Sequence, residues 1–403
     1  MLDDDDHRAL CQRLDLLHFQ EEAPGMAFWH PRGLALYRRL EGAAREQIEA
    51  QGYLEVRTPQ LLRRPLWEAS GHWEHFYENM FRVDDQAVEA ALKPVSCPAH
   101  IELVKRGVLS YRDLPLRVAE FGAVHRDELG GALHGLFRLR QFTQDDGHVF
   151  CDEGQAGAEI ERFCRSLRAF YAAFGVDEVS VVLSTRPARR AGDDALWDRA
   201  EAELASALDR LGERYEVQPG GGAFYGPKVE YVLGDRKGQR WQCGTIQYDA
   251  VMPRRFDLRY VDASGARVHP VVLHRALFGS LERFLGIVLE RHGARLPGWL
   301  APTQVEVLPV AEAQLPWARE VEARARAAGL RARVDGRGES LARRVAEAHE
   351  GGAPFLAVVG AREAASRSVT LRTPGGAQEV LPLEGALGAL GRACARPDFG
   401  ALA

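Results

Sequence analysis

Residues 114–151 read LPLRVAEFGAVHRDELGGALHGLFRLRQFTQDDGHVFC. LPLRVAEFGAVHR has the pattern of a strand, DELGGALHG that of a polar loop with glycines, and LFRLRQFTQDDGHVFC that of a returning strand. The stretch therefore predicts a β-hairpin with a long tip. Arginines crowd it. Arg126 ends the first strand, Arg138 opens the second, and Phe142 follows. Cationic side chains beside a flat apolar ring suit a ligand that carries both phosphates and a ring.

Upstream of the hairpin, LALYRRLEGAAREQIEA (residues 34–50) repeats apolar positions at helical spacing and runs through QGY into an alternating strand, YLEVRTPQLL, that ends at Pro59. Downstream, residues 152–174 predict a helix with Ile160, Phe163, Leu167 and Phe170 on its apolar face. VDEVSVVLSTR predicts a strand and DALWDRAEAELASALDRLG a second amphipathic helix. YEVQPGGGAFYGPKVEYVLGD, QRWQCGTIQYDAVMP and FDLRYVDASG alternate as strands between turns. VLHRALFGSLERFLGIVLERHG predicts one long, largely apolar helix carrying Arg283. The Pro/Gly-punctuated segment Pro297–Pro302 then reads as a linker, dividing the chain into domains at 1–298 and 299–403. Beyond it, strands and helices alternate, which implies a compact α/β unit with parallel pairing.

A chain of 403 residues, 46% hydrophobic and 27% charged, has the composition of a globular protein. It has no apolar run that could span a bilayer, and its acidic start, MLDDDDHRALCQRLD, lacks the basic and apolar regions of a secretion signal. Six cysteines without framework spacing suggest reduced thiols in a cytoplasm. With a net charge of -5, nucleic-acid binding would need a basic face rather than a basic total. Lysine is scarce, and Lys228 stands in the glycine-rich word GGGAFYGPKVE.

Three residues form a candidate metal set: Cys97 in KPVSCPAH, His148 in FTQDDGHVF and His274 in VVLHRALFGSLERF. One thiolate and two imidazoles suit zinc with a fourth position left open for substrate. The hairpin and the Arg283 segment both look like phosphate-binding apparatus, so metal and nucleotide are expected side by side.

These words (SCPAH, HRDE, FTQDDGH, GGGAFYGPK, QCGTIQ and LHRALFGSLERF) resemble the catalytic core of the threonyl-tRNA synthetases, a family of class II aminoacyl-tRNA synthetases, and the likeness covers nearly the whole chain. The resemblance implies an antiparallel-sheet catalytic domain followed by an α/β anticodon-binding-type domain. Residues 34–59 would be the motif 1 that builds a homodimer through the catalytic domain. Arg126 would contact the α-phosphate and the substrate carboxylate, Glu128 the adenine amino group, and Phe142 and Arg283 the two faces of adenine. Arg138, Gln242 and Thr245 would be further ATP contacts, with Mg2+ accompanying the nucleotide. One Zn2+ per chain on Cys97, His148 and His274 would read threonine, helped by Gln144, Asp146 and Tyr225. Lys228 would meet phosphates or adenylate from a closing loop, and His72 in SGHWEHF would assist transfer to tRNA(Thr). Glu363 and Arg372 would contact the tRNA.

Two departures from the family pattern stand out. The usual CPGH is CPAH, with Ala99 beside a ligand, and the asparagine and arginine that read the anticodon align with Gly338 and with the Gly351–Gly352 pair. Bacterial members carry N-terminal domains, one of which hydrolyses Ser-tRNA, so the start of this chain near the catalytic domain raises the expectation of no cis-editing module. The leading expectation is threonine activation and transfer to tRNA(Thr). The alternative is a threonyl-adenylating enzyme that serves a carrier protein or small molecule. A non-catalytic regulator ranks last, because Arg126, Arg283 and the metal set are all intact.

Overall fold

The computed structural model describes residues 3–85 and 88–399. They form two compact units. One comprises Phe19–Met26 and Glu41–Ile287 together with Phe399; the other comprises the described residues up to His18, Ala27–Leu40 and Val288–Asp398. All six cysteines are buried free thiols. Among the described residues, no helix is long and apolar enough to cross a membrane.

The first unit is built on an eight-stranded sheet. In chain order its strands are β1 (Leu54–Glu55), β2 (Leu116–His125), β3 (Gln141–Cys151), β4 (Val179–Ser184), β5 (Glu216–Gln218), β6 (Lys228–Gly234), β7 (Arg240–Asp249) and β8 (Val271–Ala276). They lie in the order β5-β4-β6-β7-β8-β3-β2-β1. Every pair is antiparallel except the two outermost, β4 with β5 and β1 with β2. The expected hairpin is β2–β3, in register from Leu116 opposite Phe150 to His125 opposite Gln141. Its returning strand starts later than expected: Leu136, Phe137 and Leu139 are buried in the tip, before the ladder begins at Gln141. The strand after QGY is also shorter than expected, reduced to Leu54–Glu55.

One expectation is overturned. Val271–Ala276 is a strand, and the helix that follows covers only Leu281–His292. Every residue of β8 is buried, because it lies centrally between β7 and β3. A short continuous apolar run has no periodicity to separate strand from helix. The turn between the two elements is held by Asp145, whose carboxylate accepts the backbone N–H groups of Leu277, Phe278 and Gly279 at 2.6, 2.9 and 3.1 Å. Burial pushes the Asp145 carboxyl up to about 6. The long helix Glu153–Ala173 begins at an Asp152–Gln155 capping box and packs against β8, β7 and β3.

In the second unit, strands β9 (Val305–Pro309), β10 (Ala332–Val334), β11 (Phe355–Val359), β12 (Ser368–Arg372) and β13 (Gln378–Pro382) lie in the order β10-β9-β11-β12-β13. Pairing is parallel only around β9; β12 and β13 join antiparallel, so the sheet is mixed. The helix Ala361–Ser366 and strand β13 went unread in the sequence. Alternation along β9 and β11 sends Val305, Val307, Phe355 and Ala357 into a core with Trp317, Val321 and Leu390. Leu308, Leu356 and Val358 go to the opposite face, against Val345 and Ala348.

The two glycine sites that replace expected anticodon readers differ physically. Gly352 follows the C-cap of the helix Leu341–Glu350 with φ +77°, and a Cβ there would stand 2.7 Å from the carbonyl oxygen of Ala294. Gly338 has open space around it and no left-handed backbone. Gly352→Ala is therefore expected to destabilise this unit by at least about 1–2 kcal/mol from backbone strain alone, and Gly338→Ala by less than about 0.5 kcal/mol. Chemical denaturation of the two variants checks this, and equal effects would refute it.

Candidate active site

The register of the central strands assembles the site. His148 on β3 is directly opposite His274 on β8, which is directly opposite Gln247 on β7. Residues that alternate from these positions share one face of the sheet, and there Gln144, Asp146, His148, His274 and Thr245 line a cavity of about 370 Å³. Cys97 reaches it from the first turn of the helix Cys97–Lys105, and His72, Arg126, Tyr225, Lys228 and Gln242 complete the lining. Strict alternation would put Gln242 and Thr245 on opposite faces. A bulge in β7 adds one residue against β6, between the pairs Glu230–Thr245 and Val232–Gln242. Gln242 Nε2 then donates to Thr245 Oγ1 at 2.8 Å.

The ligand atoms of Cys97, His148 and His274 all lie within 4.8 Å of one another, and the three residues are buried. His148 Nε2 is 3.0 Å from His274 Nδ1. Two nitrogens about 2.0–2.1 Å from one tetrahedral zinc stand roughly 3.3 Å apart, so the pair needs to move by only a few tenths of an ångström. His274 Nε2 is 2.9 Å from Asp249 Oδ2. That carboxylate takes the ring proton and turns the Nδ1 lone pair toward the cluster, a common arrangement behind metal-ligating histidines. Burial, reinforced by Asp146 and Asp249, pushes the Cys97 thiol up. Burial also holds His148 well below its ordinary value, in the neutral form that ligates. A dication would favour the thiolate, so the donor set fits zinc.

Around this cluster, Arg126 donates from Nε to the Pro94 carbonyl at 3.2 Å and lies over the rings of Phe142 and Phe76 at 5.1 and 5.7 Å. Burial lowers its pKa, and Arg283 lowers it further. Arg283 donates to the carbonyls of Phe137 and Gln242 at 2.9 and 2.6 Å and stands 5.6 Å over the ring of Trp241. Arg138 Nε is 3.8 Å from the Glu128 carboxylate. Phe142, Arg283, Glu128 and Arg138 are not among the residues that line the cavity; Phe142 is in contact with Arg126, and Arg283 with the Gln242 carbonyl. His72 is 3% exposed; its ring lies 5.5 Å from Phe224 and 6.0 Å from Tyr225. Burial, with His274 and Arg126 adding, pushes His72 down to about 3, so it is neutral at physiological pH. Gln144 Oε1 is buried without a partner. Lys228 is ion-paired to Glu230 on its own strand. The loop before it is pinned at Gly226, where a Cβ would meet the Tyr248 carbonyl oxygen at 2.0 Å.

Glu363 and Arg372 lie in the second unit, lining a depression of about 540 Å³ with Thr370 and Gln378. The Glu363 carboxylate accepts from Gly360 N and Thr370 Oγ1 at 2.9 and 3.0 Å, while Arg372 Nε is buried without a partner.

Sequence reasoning missed the supporting shell: Lys93, His100, Glu120, Asp145, Asp249 and Glu282. Glu282 accepts the Thr143 N–H at 3.0 Å, holding β3 beside Phe142, and burial raises its carboxyl to about 7. The only signal available was local. His100 is three residues after Cys97 on a helix, and Glu120 keeps the parity of Val118, the β2 partner of His148.

A family model described as the tRNA synthetase class II core domain (G, H, P, S and T) matches residues 81–292, and one described as the anticodon binding domain matches residues 304–392. Threonine–tRNA ligase from Polynucleobacter necessarius is 49% identical over 94% of this chain and 59% of its own length. The corresponding ligase of Hyphomonas neptunium is 48% identical over 98% of this chain and 62% of its own. The chain thus spans about three-fifths of the curated relatives it matches. The solved RNA binding domain of threonyl-tRNA synthetase from Cryptosporidium parvum superposes with a TM-score of 0.93 at 37% identity, covering 98% of this chain and 99% of that one. A putative threonyl-tRNA synthetase from Aeropyrum pernix gives 0.83 at 26% identity over 96% and 95% of the two chains. With the sheet, the two matched domains and these relatives in agreement, the chain belongs to the threonyl-tRNA synthetase family of the class II aminoacyl-tRNA synthetases.

Proposed function

We propose that this chain activates threonine with ATP to threonyl-AMP and transfers threonine to tRNA(Thr), with residues 1–298 as the catalytic domain and 299–403 as an anticodon-binding-type domain. The observation that carries the reading is one cavity that holds a Cys97–His148–His274 donor set beside Arg126, Gln144, Asp146 and Tyr225. Threonine differs from valine by a hydroxyl in place of a methyl, which an apolar pocket distinguishes poorly and a polar site distinguishes well. Cys97, His148 and His274 would hold one zinc ion per chain, which would supply Lewis-acid binding of the amino and hydroxyl groups of threonine. Asp146 accepts from the hydroxyl, and the unpartnered Gln144 Oε1 and the Tyr225 hydroxyl hold the amino group.

Arg126 neutralises the α-phosphate and orients the threonine carboxylate. Phe142 and Arg283 enclose adenine and Glu128 accepts from its amino group, with Arg138, Gln242 and Thr245 on the remaining polar groups and Mg2+ accompanying ATP. Lys228 must leave Glu230 to meet the phosphates. In the transfer step neutral His72 accepts a hydrogen bond from the terminal ribose hydroxyl and orients it; the ribose oxygen bonds to the threonyl carbonyl carbon, and AMP leaves with the hydroxyl proton on its phosphate. Glu363 and Arg372 contact the tRNA. A homodimer formed through the catalytic domain, and a cytoplasmic setting, belong to the same reading.

The test is amino-acid-dependent ATP–pyrophosphate exchange, followed by charging of tRNA(Thr). Threonine is expected to exchange best. Serine, which keeps the hydroxyl and lacks one methyl worth about 1–3 kcal/mol, is expected to exchange measurably, and valine far less. The protein is expected to charge tRNA(Thr). Efficient adenylation without charging of any tRNA would instead favour a carrier-protein or small-molecule acceptor. Valine exchange equal to serine exchange would remove the metal-based reading of the hydroxyl.

A further inference from the structure

Behind His148 lies a buried polar chain that touches no substrate-facing surface. His148 is 0% exposed, with Nε2 toward His274 and Nδ1 2.7 Å from Nδ1 of His100. His100, also 0% exposed, places its Nε2 3.1 Å from Glu120 Oε2. Glu120 cannot turn. Its Oε1 receives Lys93 Nζ at 2.8 Å and the Thr58 N–H at 3.0 Å, and its Oε2 receives the Thr58 hydroxyl at 2.8 Å. Lys93 is itself wholly buried, with Nζ directed at Glu120 and Thr58. Burying such an ion pair is a poor way to gain stability, which calls for another account of it.

We propose that Glu120, fixed by Lys93 and Thr58, acts through His100 to set the tautomer of His148, so that the Nε2 lone pair of His148 is aimed at the Cys97–His148–His274 set before zinc arrives. The proposal rests on the zinc reading above. A neutral imidazole carries one ring proton. An ionised Glu120 only accepts, so His100 must carry its proton on Nε2, and its Nδ1 is then an acceptor. His148 must donate to that acceptor from Nδ1, which leaves Nε2 free of hydrogen. The opposite polarity would set the His100 Nε2 lone pair against a carboxylate. Asp249 does the same for His274 in a single step; the arm to His148 needs two. Lys93, His100 and Glu120 are positioning residues here, because none of them touches substrate.

Glu120→Gln tests the logic at constant shape. Lys93 Nζ and the Thr58 N–H both donate to the Oε1 position, so the amide oxygen is held there and the NH2 group faces His100. A donor in that place reverses the chain and puts hydrogen on His148 Nε2. With the full chain loaded with Zn2+ and titrated against a chromogenic chelator, Glu120→Gln is expected to bind zinc about 10–100-fold more weakly than wild type. Thr58→Ser, which disturbs the packing of the same cluster but keeps the hydroxyl and the carboxylate, is expected to stay close to wild type. Zinc affinity unchanged in Glu120→Gln, or lost equally in Thr58→Ser, overturns the proposal. Wild-type protein that takes up no zinc overturns the zinc reading itself. Long-range 15N–1H NMR of histidine-labelled, zinc-loaded wild type tests the chain without any substitution. His100 is expected to carry its proton on Nε2 alone, and a proton on Nδ1 overturns the proposal.

Discussion

Arg126→Ala is expected to lower threonine-dependent ATP–pyrophosphate exchange by roughly a hundredfold or more, the usual cost of removing a preorganised donor from a site where charge develops. The guanidinium is desolvated, tethered to the Pro94 carbonyl and walled by Phe76 and Phe142. It would therefore meet a phosphate without reorganising, and in a medium where each charge counts for more than in water. Burial lowers its pKa and Arg283 lowers it further, so an anionic ligand beside it would offset that cost. Arg126→Lys should recover little, since an ammonium cannot reproduce the planar fork. Zinc content is expected to be unchanged in both variants. Exchange within a few-fold of wild type in Arg126→Ala would remove Arg126 from the catalytic apparatus.

His148→Ala is expected to lose stoichiometric zinc while wild type holds about one ion per chain. Structural zinc sites with a full set of ligands bind with about 10–16 kcal/mol. Losing one of three protein ligands should forfeit several of these and weaken binding at least about a hundredfold. The substitution also leaves His100 Nδ1 facing an empty space. Elemental analysis after dialysis against a mild chelator gives the answer, with Cys97→Ser as the companion variant. A full complement of zinc in His148→Ala would mean that the ligands lie elsewhere. Among the described residues, Asp6–His7–Glu290 is another buried cluster with ligand geometry.

Much of the catalytic unit was legible in the residues. The β2–β3 hairpin and the two long helices after it follow from alternation and helical spacing, which are local properties; the candidate ligand and arginine positions come from motifs that resemble the synthetase family. The structure gathers Cys97, His148 and His274 with Arg126, Gln144, Asp146 and Tyr225 in one cavity. Glu363 was legible as a residue, but not the use of its carboxylate within its own fold, on Gly360 N and Thr370 Oγ1.

What remained was decided by tertiary structure, because it depends on partners distant in sequence. Val271–Ala276 became a strand because β7 and β3 pair with both its edges and the helix Glu153–Ala173 packs against it, facts absent from its own apolar run. The bulge in β7 that brings Gln242 and Thr245 onto one face exists only in the register with β6. Gly352 looked like a lost base-reading side chain; a left-handed φ and the approach of the Ala294 carbonyl give it a backbone reason instead. The chain from Lys93 through Glu120 and His100 to His148 joins three separate elements, and only cross-strand parity and burial bring them together. Sequence determined which chemical groups this protein possesses and the local elements that carry most of them. Register and burial, set by long-range packing, decided which groups face one another and in which protonation state.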